Sequence, residues 1–283
     1  MNLTFVRFKA TDTVELQGWL SEVAGDTAVL HMHGMSGNGY ENYFLDNLRE
    51  MYTKHSLTFF SIDNRGRGVM TDFRQGDGSK QSGSCFELIE ESIHDIAGAI
   101  EYLKSLGKTK IILQGHSLGC IKVVNYLINK VQSEISAAIL IAPTDMVHWG
   151  EADANHVDYL ERARKMVAEG KGDELVEGRI WSQKTPISAK TYISICAPGG
   201  PADIYGDRED GALLGQIKIP MLLVYGDADT GLQKTYGSVE NWVKRVEEIK
   251  NSKTHVEIVN GAQHGFRDHE SKLAQILKTF ITN

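Results

Sequence analysis

The chain has 283 residues, 41% of them hydrophobic before its 28 glycines are counted, a composition and length suited to one large globular domain or one domain carrying an insertion. Charged residues make up 24% and the net charge is −7, which excludes a disordered or fibrous chain and, with no Lys/Arg block, argues against nucleic acid or a membrane surface as partner. No apolar run approaches the roughly 18 residues of a membrane span.

The chain opens on residues that alternate like a strand rather than like a secretory leader. Leu3 to Phe8 and Val14 to Leu20 both show period two, separated by the turn-like Thr11-Asp12. Ala28 to His33 is a short apolar run that ends in Gly34-Met35-Ser36-Gly37-Asn38-Gly39, as expected of a strand buried on both faces. Residues 41 to 54 have helical spacing at Phe44, Leu45, Leu48 and Met51, and Leu57 to Ile62 reads as the next buried strand. A helix stripe covers Phe86 to Leu106, stopped by Gly107. Lys110 to Gln114 is a strand, about Cys120 to Val131 a helix, and Ala137 to Ala142 a strand closed by Pro143. Repeated strand–helix units of this kind predict an α/β protein with a doubly wound, mostly parallel sheet.

The rhythm breaks at Thr144 and returns at Ile219 to Tyr225. Residues 144–211 are polar and helix-like, then glycine-rich, and read as a helical cap or lid insertion into a core made of 1–143 and 212–283. A helix near 237 to 250, a strand at His255 to Val259 and a terminal helix from about Ser271 complete the expected order.

Gly115-x-Ser117-x-Gly119 sits between a buried strand and a helix, the setting of a nucleophile elbow, in which a serine occupies a strained strand-to-helix turn. Gly34-Met35-Ser36-Gly37 is a near miss, because Asn38 stands where the last glycine is required. Such a serine needs a base and an acid, in the chain order serine, acid, histidine. His264 follows the last strand, where it can reach a serine at the carboxyl edge of the sheet. His269 reads as a surface residue and His116 as structural. Gly226-Asp227-Ala228-Asp229 offers two acids; Asp229 is preferred because it lies farther into the loop, Asp227 remaining the alternative. The Leu118 and Met35 amides are the expected oxyanion donors, with Gly34, Gly37 and Gly39 letting the backbone approach a substrate.

Other features have plainer readings. Cys120 is expected to pack in the core rather than react. His148, Glu151, Asp153, His156 and Asp158 lack a shared face and read as solvated or substrate-facing, with no metal expected. Arg65 and Arg67 read as surface arginines of a glycine-rich loop, less readily as anchors for an acidic substrate. Three scattered cysteines without CxxC suit a reducing, cytoplasmic setting.

The joint pattern of His33-Gly34, Asp63-x-Arg65-Gly66-x-Gly68, Gly115-x-Ser117-x-Gly119, Gly226-x-x-Asp229 and His264-Gly265 resembles the α/β-hydrolase superfamily over nearly the whole chain. Residues 33–42, Ala142-Pro143-Thr144-Asp145 and Ser194 to Gly200 are similar to a branch that includes fungal siderophore ester hydrolases. The resemblance implies a cofactor-free serine esterase, carboxylesterase-like, with Ser117, Asp229 and His264 as triad and a small-molecule ester as substrate. Trp149, Tyr159, Trp181 and Tyr192 are the candidate acyl-pocket residues of the insertion. An amidase, peptidase or thioesterase would use the same triad, and a non-catalytic binding protein on this fold is the remaining rival. The oligomeric state stays open, a homodimer included.

Overall fold

The computed structural model describes residues 3–130, 133–177, 186–206 and 208–282. Among them are eight strands of one sheet: β1 (Thr4–Lys9), β2 (Glu15–Ser21), β3 (Thr27–Met32), β4 (Thr58–Asp63), β7 (Lys110–His116), β8 (Ile135–Ile141), β9 (Met221–Gly226) and β10 (Thr254–Val259). A hairpin of β5 (Thr71–Gln75) and β6 (Gly78–Ser82) stands apart. The sheet order is β1-β2-β4-β3-β7-β8-β9-β10. Only β2 runs against the others, since β1 and β4 both pair with it antiparallel and every later pairing is parallel. The physical cause is burial. All of β4 and β9, and all but the first residue of β3 and β7, are buried, as apolar runs covered by helices on both faces must be.

The helices are α1 (Phe44–Lys54), α2 (Ser92–Ser105), α3 (Leu118–Asn129), α4 (Met146–Glu151), α5 (His156–Ala168), α6 (Ala189–Cys196), α7 (Leu213–Gln216), α8 (Thr230–Tyr236), α9 (Val239–Ile249) and α10 (Glu270–Thr282). Their ends follow local chemistry. Ser238 caps α9 by accepting from Asn241 N, Asp145 caps α4 by accepting from His148 N, and α8 stops at Gly237, whose φ is 75°. The helix expected from Phe86 starts only at Ser92, after a 3-10 turn at Ile89–Glu91. The β5–β6 hairpin and α8 have little sequence signal. In the hairpin only Phe73 and Ser82 are buried, so no apolar alternation marks it.

Among the described residues, four helices, α4 to α7, lie between β8 and β9. Tyr159, Ile187, Tyr192, Ile195, Ile204 and Tyr205 of this stretch join the same hydrophobic core as the sheet. Backbone and side chains tie it down too: Ser188 N donates to Cys85 O at 2.8 Å, Ile89 N to Ser194 Oγ at 2.9 Å and Tyr205 Oη to Pro143 O at 3.1 Å.

The loop after β4 corrects one expectation. Arg65 is not a surface arginine: it is 1% exposed and wholly engaged. Its guanidinium lies 2.6 Å from Asp95, 2.9 Å from Glu91 and 3.0 Å from Asp12. Arg67 is partly exposed and pairs with Asp63 at 3.0 Å. Three carboxylates, one before β2 and two one turn apart at the start of α2, draw one cation inward, and they leave it no capacity for a substrate. Arg65→Met leaves the fully buried Asp95 without its cation and is expected to cost about 3–5 kcal/mol of stability, measured by urea unfolding. An unchanged midpoint would refute this picture of the loop.

No helix among the described residues is long and apolar enough to cross a membrane.

Candidate active site

Strand order places the chemistry. The chain leaves β3 for β4 on one side and crosses to β7 on the other, so the loops after β3 and β7 diverge at a topological switch point. Met32 pairs with Gly115 and Val259 with Gly226. The loop from Gly34 therefore begins beside the turn at Ser117, and the loop carrying Asp229 beside the loop carrying His264.

Ser117 follows β7 and precedes α3 with φ 57° and ψ −126°, a conformation that non-glycine residues rarely adopt and that costs on the order of 1–3 kcal/mol. The flanking glycines make the turn possible. A methyl group on Gly115 would lie 2.5 Å from the Gly119 backbone, and one on Gly119 would lie 2.2 Å from Met32 O. Gly34 abuts the serine itself, since a methyl there would sit 2.9 Å from Ser117 Cβ and 3.3 Å from its Oγ.

His264 Nδ1 donates to Asp229 Oδ2 at 2.6 Å. Asp229 is 1% exposed, and its other oxygen accepts from Gly231 N at 2.7 Å at the start of α8. Burial alone would raise this carboxyl, but the hydrogen bond and charge of His264, with the Gly231 and Leu232 amides, outweigh it and hold the acid below its ordinary value. Asp227 plays a different part, for its Oδ1 accepts from Gly261 N at 2.6 Å and pins the end of β10 to the loop after β9. His116 holds the His264 backbone. Its Nε2–H donates to His264 O at 2.9 Å, and burial, with the neighbouring His264, pushes its pKa down to about 3.

Ser117, Asp229 and His264 open into one pocket of about 400 Å³. Met35, Ser36 and Leu118 line it from the β3 loop and α3, Thr144, Met146 and Trp149 from the segment after β8, and Thr230 and Gly231 from the start of α8. Leu118 is the first residue of α3, where an amide has no partner within the helix. On the opposite side, Gly34 O accepts from His33 Nδ1 at 2.8 Å. Carbonyl and amide of one trans peptide point in opposite directions, so the Met35 N–H points away from His33.

Of the candidate acyl-pocket residues, Trp149 lines the pocket, while Tyr159 and Tyr192 do not. They are buried between α5 and α6 with ring centroids 6.2 Å apart, and Tyr192 Oη hydrogen-bonds His156 Nδ1 at 2.8 Å. Trp181 lies outside the described residues. The acidic and histidine cluster of the insertion is divided among local partners: His148 on Asp145 at 2.7 Å, His156 on Tyr192 and Asp158 on Arg162 at 2.6 Å. Cys120 is fully buried, its thiol donating to Ile141 O, and burial pushes it well above the ordinary thiol value. Sequence reasoning missed Thr144 and Met146, whose only signal is that they follow a strand at the carboxyl edge.

Solved structures of similar fold span almost the entire chain. The α/β-hydrolase GrgF of Penicillium sp. sh18 matches with a TM-score of 0.67 at 17% identity, covering 99% of this chain and 98% of that one. Est1E of Butyrivibrio proteoclasticus, solved with ferulic acid bound, matches with a TM-score of 0.66 at 18% identity over 97% of both chains. The esterase Pf2001 of Pyrococcus furiosus gives 0.63 at 16% identity, covering 99% of this chain and 91% of that one. The fold is therefore that of the α/β hydrolases. No curated protein is matched by the sequence. Residues 83–282 match the family model described as "Protein of unknown function (DUF1749)", which takes in α2, the serine turn, Asp229 and His264, and the chain belongs to that family.

Proposed function

We propose that the protein is a serine hydrolase that cleaves a small-molecule carboxylic ester through an acyl-enzyme on Ser117. The observation that carries the reading is the His264–Asp229 hydrogen bond of 2.6 Å opening into the same pocket as a serine held at positive φ. Ser117 Oγ attacks the ester carbonyl while His264 takes its proton; the imidazolium then gives that proton to the leaving alcohol. Water repeats the sequence on the acyl-enzyme, with Asp229 holding the tautomer and stabilising the imidazolium. The Leu118 and Met35 amides receive the developing oxyanion. The described residues of 144–211 act as a cap over the pocket, with Trp149, Met146 and Thr144 meeting the acyl group. A cytoplasmic enzyme without a cofactor fits this chemistry, which the triad completes on its own. The esterases among the structural neighbours support an ester over an amide.

A pocket of about 400 Å³ suits a short or mono-aromatic acyl group. Matched p-nitrophenyl ester, thioester and anilide substrates carrying one acyl group test the choice. The ester is expected to turn over fastest; preferential cleavage of the anilide would replace the esterase by an amidase.

A further inference from the structure

Beneath the Gly34 loop lies a chain of buried polar groups that the mechanism above does not use. Lys122, one turn beyond Leu118 on α3, is 1% exposed. Its Nζ lies 2.5 Å from Glu87 Oε2, also 1% exposed, and donates to Asn64 Oδ1 at 2.9 Å. Asn64 in turn grips His33 twice: its Nδ2 donates to His33 O at 3.2 Å and its backbone N–H to His33 Nε2 at 3.1 Å. Because Nε2 accepts, a neutral ring must carry its proton on Nδ1, and that proton is donated to Gly34 O.

We propose that Lys122 is a positioning residue for the reaction at Ser117: through Asn64 and His33 it fixes the Gly34–Met35 peptide so that the Met35 N–H serves the oxyanion. The proposal rests on the serine-hydrolase reading of the site.

Three observations support it. A buried ion pair often gains no stability over apolar residues of equal volume, and Glu87 Oε1 finds no partner among the described residues. What the pair supplies is direction. Second, burial, reinforced by the charge of Lys122 and by His31 and Arg67, holds His33 well below its ordinary pKa, so the ring stays in the neutral form the geometry needs. Third, α3 carries Lys122 as well as Leu118, and Ser117 is the residue immediately before its first turn. One helix thus keys both oxyanion amides to the nucleophile.

The test is the double variant Glu87→Gln/Lys122→Met, which removes both charges without stranding either. With the circular dichroism spectrum and thermal melt retained, kcat for a short p-nitrophenyl ester is expected to fall about 10- to 100-fold, as for partial loss of one oxyanion donor, while KM holds. Affinity for a trifluoromethyl ketone analogue should fall by the same factor. Unchanged kcat in a folded variant overturns the proposal. Should that variant not fold, nitrogen NMR of His33 in the wild-type protein decides: the Nδ1–H tautomer supports the relay, and the Nε2–H tautomer or an imidazolium overturns it. A fluorophosphonate probe separates the two levels. A wild-type protein that neither labels nor hydrolyses esters loses both readings; one that labels while the variant keeps full kcat loses only the role of Lys122.

Discussion

Asp229→Asn is expected to lower kcat for a short ester by about 10⁴-fold with little change in KM, since an amide in place of the carboxylate leaves the shape but favours the wrong imidazole tautomer. Asp227→Asn, at the other acid in the same loop, should leave kcat nearly unchanged, because Asp227 holds the Gly261 backbone rather than His264. Steady-state kinetics on the two variants side by side check the assignment, and an equal loss in both would overturn it. The acid limb of the stability curve offers an independent sign. A carboxyl held below its ordinary value of 3.8 contributes stability that is complete above that pH and is lost as pH falls through the lower folded-state value. The Asn variant therefore loses part of the acid dependence that the wild-type protein shows below about pH 4.

Ser117→Ala has the larger effect on turnover, a fall in kcat of about 10⁶-fold, with what remains supplied by the oxyanion amides and binding. Stability should barely move. Alanine keeps the Cβ and so inherits the strain at φ 57°, while the hydroxyl lost faces the pocket. A melting temperature within a degree or two of wild type, with turnover of p-nitrophenyl esters gone, is the expected pair of results. Activity close to wild type would require a different nucleophile.

Much of this site is legible in the sequence because each part follows a strand of the sheet. Gly115-x-Ser117-x-Gly119 and Gly226-x-x-Asp229 each announce themselves by a buried apolar run that ends in glycine or a turn, and His264 by the alternating edge strand before it; strand register does the rest. Arg65 is the instructive miss. A glycine-rich loop after a strand looks exposed, yet the carboxylates that bury Arg65 come from residue 12 and from residues 91 and 95 at the start of α2, which no local pattern connects to that loop. Tyr159 and Tyr192 fail for a related reason. Aromatic residues in an insertion look like pocket walls, but helix-to-helix packing claims them first. His33, Asn64 and Lys122 come together through the pairing of β3 with both β4 and β7, so their hydrogen bonds have no signature in the chain order.

Whether Ser117 is an activated nucleophile is decided by intact-mass analysis of the protein after treatment with a fluorophosphonate, followed by peptide mapping. One adduct per chain is expected, on the peptide containing Ser117, and none in Ser117→Ala. An unlabelled wild-type protein, or an adduct that persists in the alanine variant, would rule out Ser117 as the nucleophile.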